Sequence, residues 1–229
     1  MPAKPAAVSR SSCTTCSGRA KESRRRKTLT STVRFVRVAV LGWGSLIWHP
    51  TDNGVSLDLE TPGLWECDGP NLPIEFARIS QDGRLTLVVL PSSAETVITL
   101  WSVSALNESA AVLNLAAREG ITKNVDAIHG VRMDGSKIGG VDAEVAAHVH
   151  TWMSERPALS AVIWTGLGTG LSRWREQGYK DGFSVDNAIS YFRSLKGDAA
   201  DRAFEYLRNA PVQIDTRVRQ TAKAAGLIG

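Results

Sequence analysis

Cysteine is scarce: the 229 residues hold only Cys13, Cys16 and Cys67. An odd count, in a chain without the apolar core of a secretory leader, argues against a disulfide scaffold and for a reducing compartment, so a cytoplasmic location is expected. Cys13 and Cys16 form one Cys-x-x-Cys, but a structural zinc needs four ligands, and neither a second pair nor a spaced histidine pair follows. Histidine is nearly as rare, and His148 and His150, two apart on an expected helix, point to different sides of it. No metal site is expected. No apolar run reaches about 18 residues, so no membrane span and no membrane partner are expected. Internal repeats, sustained heptads and a phosphate-loop lysine motif are also missing.

Acidic residues are almost absent from the first 30 positions, where Glu22 faces eight Lys and Arg: Lys4, Arg10, Arg19, Lys21, Arg24, Arg25, Arg26 and Lys27. Of the chain's net +4, that segment carries +7 and the rest −3. The basic character therefore belongs to the tail and not to the globular part. With few large apolar side chains to offset ordering entropy, residues 1–32 are expected to be a disordered tail. Its Arg/Ser-rich composition resembles a transit peptide without a clear amphipathic period; a solvated extension or a start placed too far upstream is the plainer explanation. A nucleic-acid-contacting arm at Arg24–Lys27 is a further, minor alternative.

Residues 33–229 are expected to form a single domain ending in a helical extension. Val38–Leu41 is a short apolar run that reads as a buried strand, and it breaks into Gly42-Trp43-Gly44-Ser45-Leu46. Two glycines one residue apart permit a sharp turn and close approach of a ligand to the backbone, or simply a tight turn under a sheet. Position 47 is Ile, so the dinucleotide-binding Gly-x-Gly-x-x-Gly is not formed. Residues 74–79 and 84–90 flank Ser80-Gln81-Asp82-Gly83, the clearest hairpin in the chain. Alternation does not single out the core face of its first arm, and Glu75 and Arg78 there read as solvated charges or as ligand-binding groups.

Residues 96–103 form a β-branched strand candidate. Leu106, Ala110, Leu113 and Ala117 then recur at helical spacing, with Ser104 as candidate N-cap and Gly120 as terminator. Glu119 falls in the last turn, where the negative end of the helix dipole raises a carboxylate pKa and burial would raise it further. Strands are expected over 125–133 and 161–164, and helices over 142–153, 184–195, 198–209 and 216–225. A second glycine loop, Gly166-Leu167-Gly168-Thr169-Gly170, reads as a loop over a sheet edge or as a phosphate cradle if a helix follows directly.

Gly42-Trp43-Gly44-Ser45-Leu46-Ile47-Trp48-x-Pro50 resembles the Gly-Tyr-Gly-Ser-Leu-x-Trp-x-Pro signature of the ChaC branch of the γ-glutamylcyclotransferase-like superfamily. Ala117-Arg118-Glu119-Gly120 is similar to the helix end that carries that family's catalytic glutamate. The likeness covers about residues 36–135. It departs at Trp43, where the family has Tyr, and after Glu119, where Ile121-Thr122-Lys123 replaces a Gly-Gly-Tyr.

The resemblance implies an α+β fold with a mixed, β-barrel-like sheet and surrounding helices. It also implies conversion of a γ-glutamyl amide to 5-oxoproline and a free amine. In that chemistry the substrate's own α-amine attacks its γ-carbonyl, so the protein supplies proximity, proton transfer and charge stabilisation rather than a nucleophile. Glu119 takes the catalytic role, and no cofactor is demanded. Gly42, Trp43, Gly44, Ser45 and Leu46 hold the small-molecule γ-glutamyl substrate, and Trp43 and Trp48 are candidates for the pocket wall. The alternative is a non-catalytic small-molecule binding module on the same fold.

Overall fold

A computed structural model describes residues 37–121 and 124–228. The expected disordered tail, with Cys13 and Cys16, lies outside the described residues. β1 (Arg37–Gly42) leads into a one-turn helix, α1 (Ser45–Trp48), and a small hairpin of β2 (Thr51–Asp52) and β3 (Val55–Ser56). There follow β4 (Asn71–Leu72), β5 (Ile74–Ile79), β6 (Leu85–Val89), β7 (Val97–Ile98) and β8 (Leu100–Ser104). α2 (Glu108–Arg118) precedes β9 (Ile128–Arg132), β10 (Lys137–Ile138), α3 (Ala143–Ser154) and β11 (Leu159–Thr165). The chain closes with α4 (Leu171–Glu176), α5 (Val185–Ser194), α6 (Asp198–Asn209) and α7 (Arg217–Ala224).

The architecture is mixed α+β. Five strands form one sheet in the order β10-β9-β11-β1-β8, with β1 and β11 parallel and the other pairs antiparallel. Strand alternation sends successive side chains to opposite faces, which makes two cores. Val38 and Val40 of β1 join Ala161 and Ile163 of β11 beneath α2, packed by Ala111, Leu115 and Ala116. Ala39 and Leu41 join Val162 and Trp164 on the other face, against α3, the β5–β6 hairpin and α5–α7.

The sheet is open, which corrects the barrel-like expectation. The outer edge of β8 does not meet another long strand. Its backbone groups are taken by the irregular segment 58–70: Trp101 and Glu66 exchange hydrogen bonds, Glu60 donates to Val103, and Thr99 bonds with Gly69 and Pro70. Pro62 and Pro70 lack an N–H, and Gly63 and Gly69 add flexibility, so this stretch satisfies the edge without continuing the ladder. The β5–β6 hairpin pairs only with itself.

Helix caps follow the sequence in most places. Asp142, Ser184 and Thr216 each accept a backbone N–H at the start of their helices. α2 differs: its N-cap is Asn107, and Ser104 ends β8 instead. Its buried face is Ala111, Leu115, Ala116 and Arg118, while Leu113 is 59% exposed. The expected inward set was therefore rotated from the real one. Alanines at 110, 111, 116 and 117 allow either phase, and packing on the sheet selects one.

Candidate functional site

The carboxyl ends of the two parallel strands lie side by side, and the chain leaves each of them through a glycine-containing loop. In open sheets such ends are where ligand crevices form. A cleft of about 610 Å³ opens here, within the size range of small-molecule sites. Its walls include Trp43, Gly44, Ser45 and Leu46 after β1, Thr165 and Leu167 after β11, Glu119 at the end of α2, and Arg78 and Arg84 from the hairpin. The two motifs separated by some 70 residues of sequence thus share one cavity.

Gly42 is not on the cleft wall. A Cβ there would sit 2.6 Å from a ring carbon of Trp65, so the glycine serves close packing behind the loop. Gly44 does face the site: a Cβ on it would collide with the hydroxyl of Tyr206, which α6 brings in from the far end of the chain. Trp43 is buried, and its indole N–H points at the Leu87 carbonyl 3.4 Å away. Trp48 lines a smaller cleft of about 330 Å³ that shares Ser45, Asp52, Asp82, Arg84 and Tyr206 with the first. Its ring meets Tyr206 edge-on at 5.3 Å.

Glu119 is the C-cap residue of α2, and Gly120 follows with φ +67, the left-handed terminator that its position suggested. The Glu119 side chain is 18% exposed. Burial pushes its pKa above the ordinary carboxylate value; the Arg118 charge and hydrogen bond oppose this, Asp52 adds to it and Arg84 opposes it more weakly. One carboxylate oxygen, Oε1, accepts from Arg118 Nη1 at 2.5 Å, and Oε2 has no partner among the described residues.

Arg118 is the residue that joins the two motifs, and its 1% exposure makes it one of the most buried charges described. From its place in α2 the guanidinium reaches across to the loop after β1, donating to Ser45 Oγ at 3.3 Å and to the His49 carbonyl. Its own carbonyl accepts from Asn53 Nδ2 at 3.0 Å. The first catalytic candidate and the loop serine are fixed by this one side chain, and the small hairpin by the same residue's backbone. Sequence reasoning noticed Arg118 only as part of the helix-end motif. Its bridging role depends on contacts 69 and 73 residues away, for which there is no local signal.

Tyr206 was also missed. Its phenol is pushed up to about 12 by burial first and by the Glu119 charge second, with backbone hydrogen bonds from Leu87 and Ser45 and the Arg84 charge opposing. It stays protonated at any working pH, as a donor beside the glutamate. Arg84 lies over its ring, 5.6 Å from the centroid, and its Nε pairs with Asp82 at 2.7 Å. Cleft and rim therefore carry three guanidinium groups (Arg78, Arg84, Arg118) and three carboxylates (Asp52, Asp82, Glu119).

Glu75, the other carboxylate of interest, is elsewhere. It is 3% exposed and accepts backbone N–H groups from Phe76 at 2.8 Å and Val218 at 3.4 Å, with the Thr216 hydroxyl also bonded. It caps the start of α7 rather than lining the cleft. Among the described residues no cluster of His, Cys, Asp or Glu is arranged to hold a metal ion, and no helix is long and apolar enough to cross a membrane. No family model, curated protein or solved structure matches the chain.

Proposed function

We propose that the protein is a γ-glutamyl cyclotransferase-type enzyme, cyclising a γ-glutamyl amide to 5-oxoproline with release of an amine. The observation that carries this reading is Glu119: a desolvated carboxylate of raised pKa, with one oxygen held by Arg118 and the other free, in the same cleft as the Trp43–Leu46 loop. A group that first takes and then returns a proton works best with a pKa near the working pH, and burial moves Glu119 in that direction. Arg84 with Asp52 and Asp82, charges of both signs on the same cleft wall, suit a zwitterionic glutamyl moiety.

In this mechanism Glu119 removes a proton from the substrate's α-ammonium. The freed amine attacks the γ-carbonyl carbon, a C–N bond forms, and the carbonyl electron pair moves to oxygen. Backbone N–H groups of the Trp43–Leu46 loop and the Tyr206 hydroxyl are the donors available to that oxygen. As the intermediate collapses, Glu119 gives its proton to the leaving nitrogen and takes the second proton of the attacking nitrogen. The carbonyl re-forms and the bond to the leaving nitrogen breaks. That second proton then passes from Glu119 to the released amine, which leaves as its ammonium. The products are 5-oxoproline and the free amine, with no net proton gained or lost by the protein.

The test is release of 5-oxoproline from a panel of γ-glutamyl compounds, wild type beside Glu119→Gln. Turnover by wild type that falls by about 10²-fold or more in the variant supports the reading. Turnover that survives the substitution removes Glu119 from the mechanism. Binding without turnover on every compound favours the non-catalytic module, a reading to which the Arg118 bond lends weight because it opposes the rise in the Glu119 pKa.

A further inference from the structure

The Arg78 end of the cleft has a charge arrangement that the cyclisation chemistry does not use. Arg78 is half-buried, and its guanidinium makes one hydrogen bond, from Nη1 to the Gly168 carbonyl at 2.9 Å. It has no carboxylate partner among the described residues. Burial and the neighbouring charge of Arg173 both weaken its hold on its proton, so the second guanidinium is close enough to be felt. Arg173 lies on α4, is itself half-buried, and has no ion-pair partner among the described residues either. Asp82 is occupied by Arg84, and Glu119 by Arg118. Two like charges set together and partly desolvated, with no counter-charge, are unfavourable in the free protein and become favourable when an anion arrives.

The surrounding backbone is shaped around this guanidinium. β5 carries a register irregularity between Phe76 and Arg78, and beyond it Arg78 pairs with Thr86, both of them on the cleft wall. The second glycine loop, Gly166–Gly170, supplies the Gly168 carbonyl that holds Nη1. Gly170, at φ +66, passes so close that a Cβ would lie 3.1 Å from Nη1. Thr165, just before that loop on the cleft wall, carries a buried hydroxyl oxygen with no hydrogen-bond partner. A buried hydroxyl without a partner, on the same cleft wall as an arginine without a carboxylate, is a ready contact for a polar ligand group.

We propose that Arg78 forms an anion subsite at this end of the cleft, reinforced by the nearby charge of Arg173 and recognising a carboxylate on the amine part of the ligand, with Thr165 as a neutral donor. The planar fork of Arg78 presents several N–H groups in a geometry matched to carboxylate, and one of them is already fixed by Gly168. The assignment of the anion to the leaving amine rests on the γ-glutamyl reading; the existence of the anion subsite does not. On that reading, conjugates with an acidic leaving amine are preferred over neutral γ-glutamyl amines, and Arg78 determines the preference.

The experiment is calorimetric binding of γ-glutamylglycine, its neutral glycinamide counterpart and inorganic phosphate. The proteins are wild type, Arg78→Gln, Arg78→Lys and Arg173→Gln, each first checked for an unchanged thermal unfolding midpoint. Wild type should bind the carboxylate compound at least about tenfold more tightly than the amide, with a preference that shrinks as salt is raised. Arg78→Gln should bind both equally, and Arg78→Lys and Arg173→Gln should fall between. Equal binding of the pair by wild type, or a preference kept in Arg78→Gln, overturns the leaving-group assignment. If neither γ-glutamyl compound binds, the reading of the cleft as a γ-glutamyl site fails, and phosphate decides the subsite alone. Tighter phosphate binding by wild type than by Arg78→Gln then supports it, and equal binding or none overturns it.

Discussion

Replacing Arg118 by Met should separate the two roles of the buried guanidinium, because one depends on pH and the other does not. Met is unbranched, uncharged and of similar volume, so most of the space stays filled while the bonds to Ser45, His49 and Glu119 are lost. Breaking a buried ion pair by removing one partner costs about 3–5 kcal/mol, since the other charge is left uncompensated. Glu119 keeps 18% exposure and so some hydration, which places the expected loss near the bottom of that range, at about 3 kcal/mol near pH 8. The sign of the pH dependence follows from the raised pKa of Glu119. Between the unfolded and folded pKa values the native state holds the extra proton, so this group's contribution to stability falls as pH rises through that window. Arg118 opposes the rise, so its removal lifts the folded pKa further and extends the window upward. The deficit of Arg118→Met should therefore be smaller at pH 5, where Glu119 is more protonated, and larger at pH 8. Urea unfolding at several pH values measures it. A deficit that is the same at pH 5 and pH 8 would refute the argument, because the lost bonds to Ser45 and His49 alone would then account for it.

Three further outcomes follow from the same geometry. The acid limb of any turnover should lie above the ordinary carboxylate range, since Glu119 must ionise to act as base and its pKa is raised; a limb at the ordinary value would disconnect Glu119 from the rate. Gly44→Ala drives a methyl group into the Tyr206 hydroxyl and should cost about 1–3 kcal/mol, part of which Tyr206→Phe restores in the double variant; strictly additive costs in a thermal-unfolding cycle would refute the contact. Glu75→Ala leaves the Phe76 and Val218 N–H groups without their buried acceptor and should lose about 2–4 kcal/mol, whereas Glu75→Gln, which keeps an acceptor and sheds a desolvated charge, should stay within about 1 kcal/mol. Equal losses in the two would show that α7 is held by the charge rather than by the acceptor.

Elements signalled by neighbouring residues were legible in the sequence. The β5–β6 hairpin follows from Asp82-Gly83 between two apolar runs, and α3, α5 and α7 follow from Asp142, Ser184 and Thr216 at their starts. What depended on distant partners was not. The phase of α2 was ambiguous because its alanines fit either face, and only the sheet distinguishes Leu115 from Leu113. The open edge of β8 could not be foreseen, because segment 58–70 satisfies it without looking like a strand. Glu75 and Arg78, three residues apart on one strand, read alike as charges on a hairpin. One caps a helix 143 residues away and the other faces the cleft, and which of the two meets a distant helix and which a cavity is decided by elements that pack on the hairpin from far along the chain.

The C-terminal helices were the least interpretable part of the sequence, and the cleft gives them a physical reason. After Glu119 the chain runs Ile121-Thr122-Lys123, so the segment following the glutamate brings no phenol of its own. The phenol on the cleft wall is Tyr206, delivered by α6. Its position is over-determined: Trp48 and Phe76 pack edge-on against its ring, and Arg84 lies over its face. Only a glycine at 44 leaves room for its hydroxyl. A side chain held that tightly, within reach of the Glu119 charge, requires α6 to dock in a fixed place. That place is secured by Leu207 and Ala203 in the same core as β5 and β6, with Glu75 holding α7 behind it. Removing the helices would therefore strip the cleft of its only buried phenol among the described residues and expose the hairpin that carries Arg78 and Arg84. The C-terminal region is part of the site's construction and not an appendage to it.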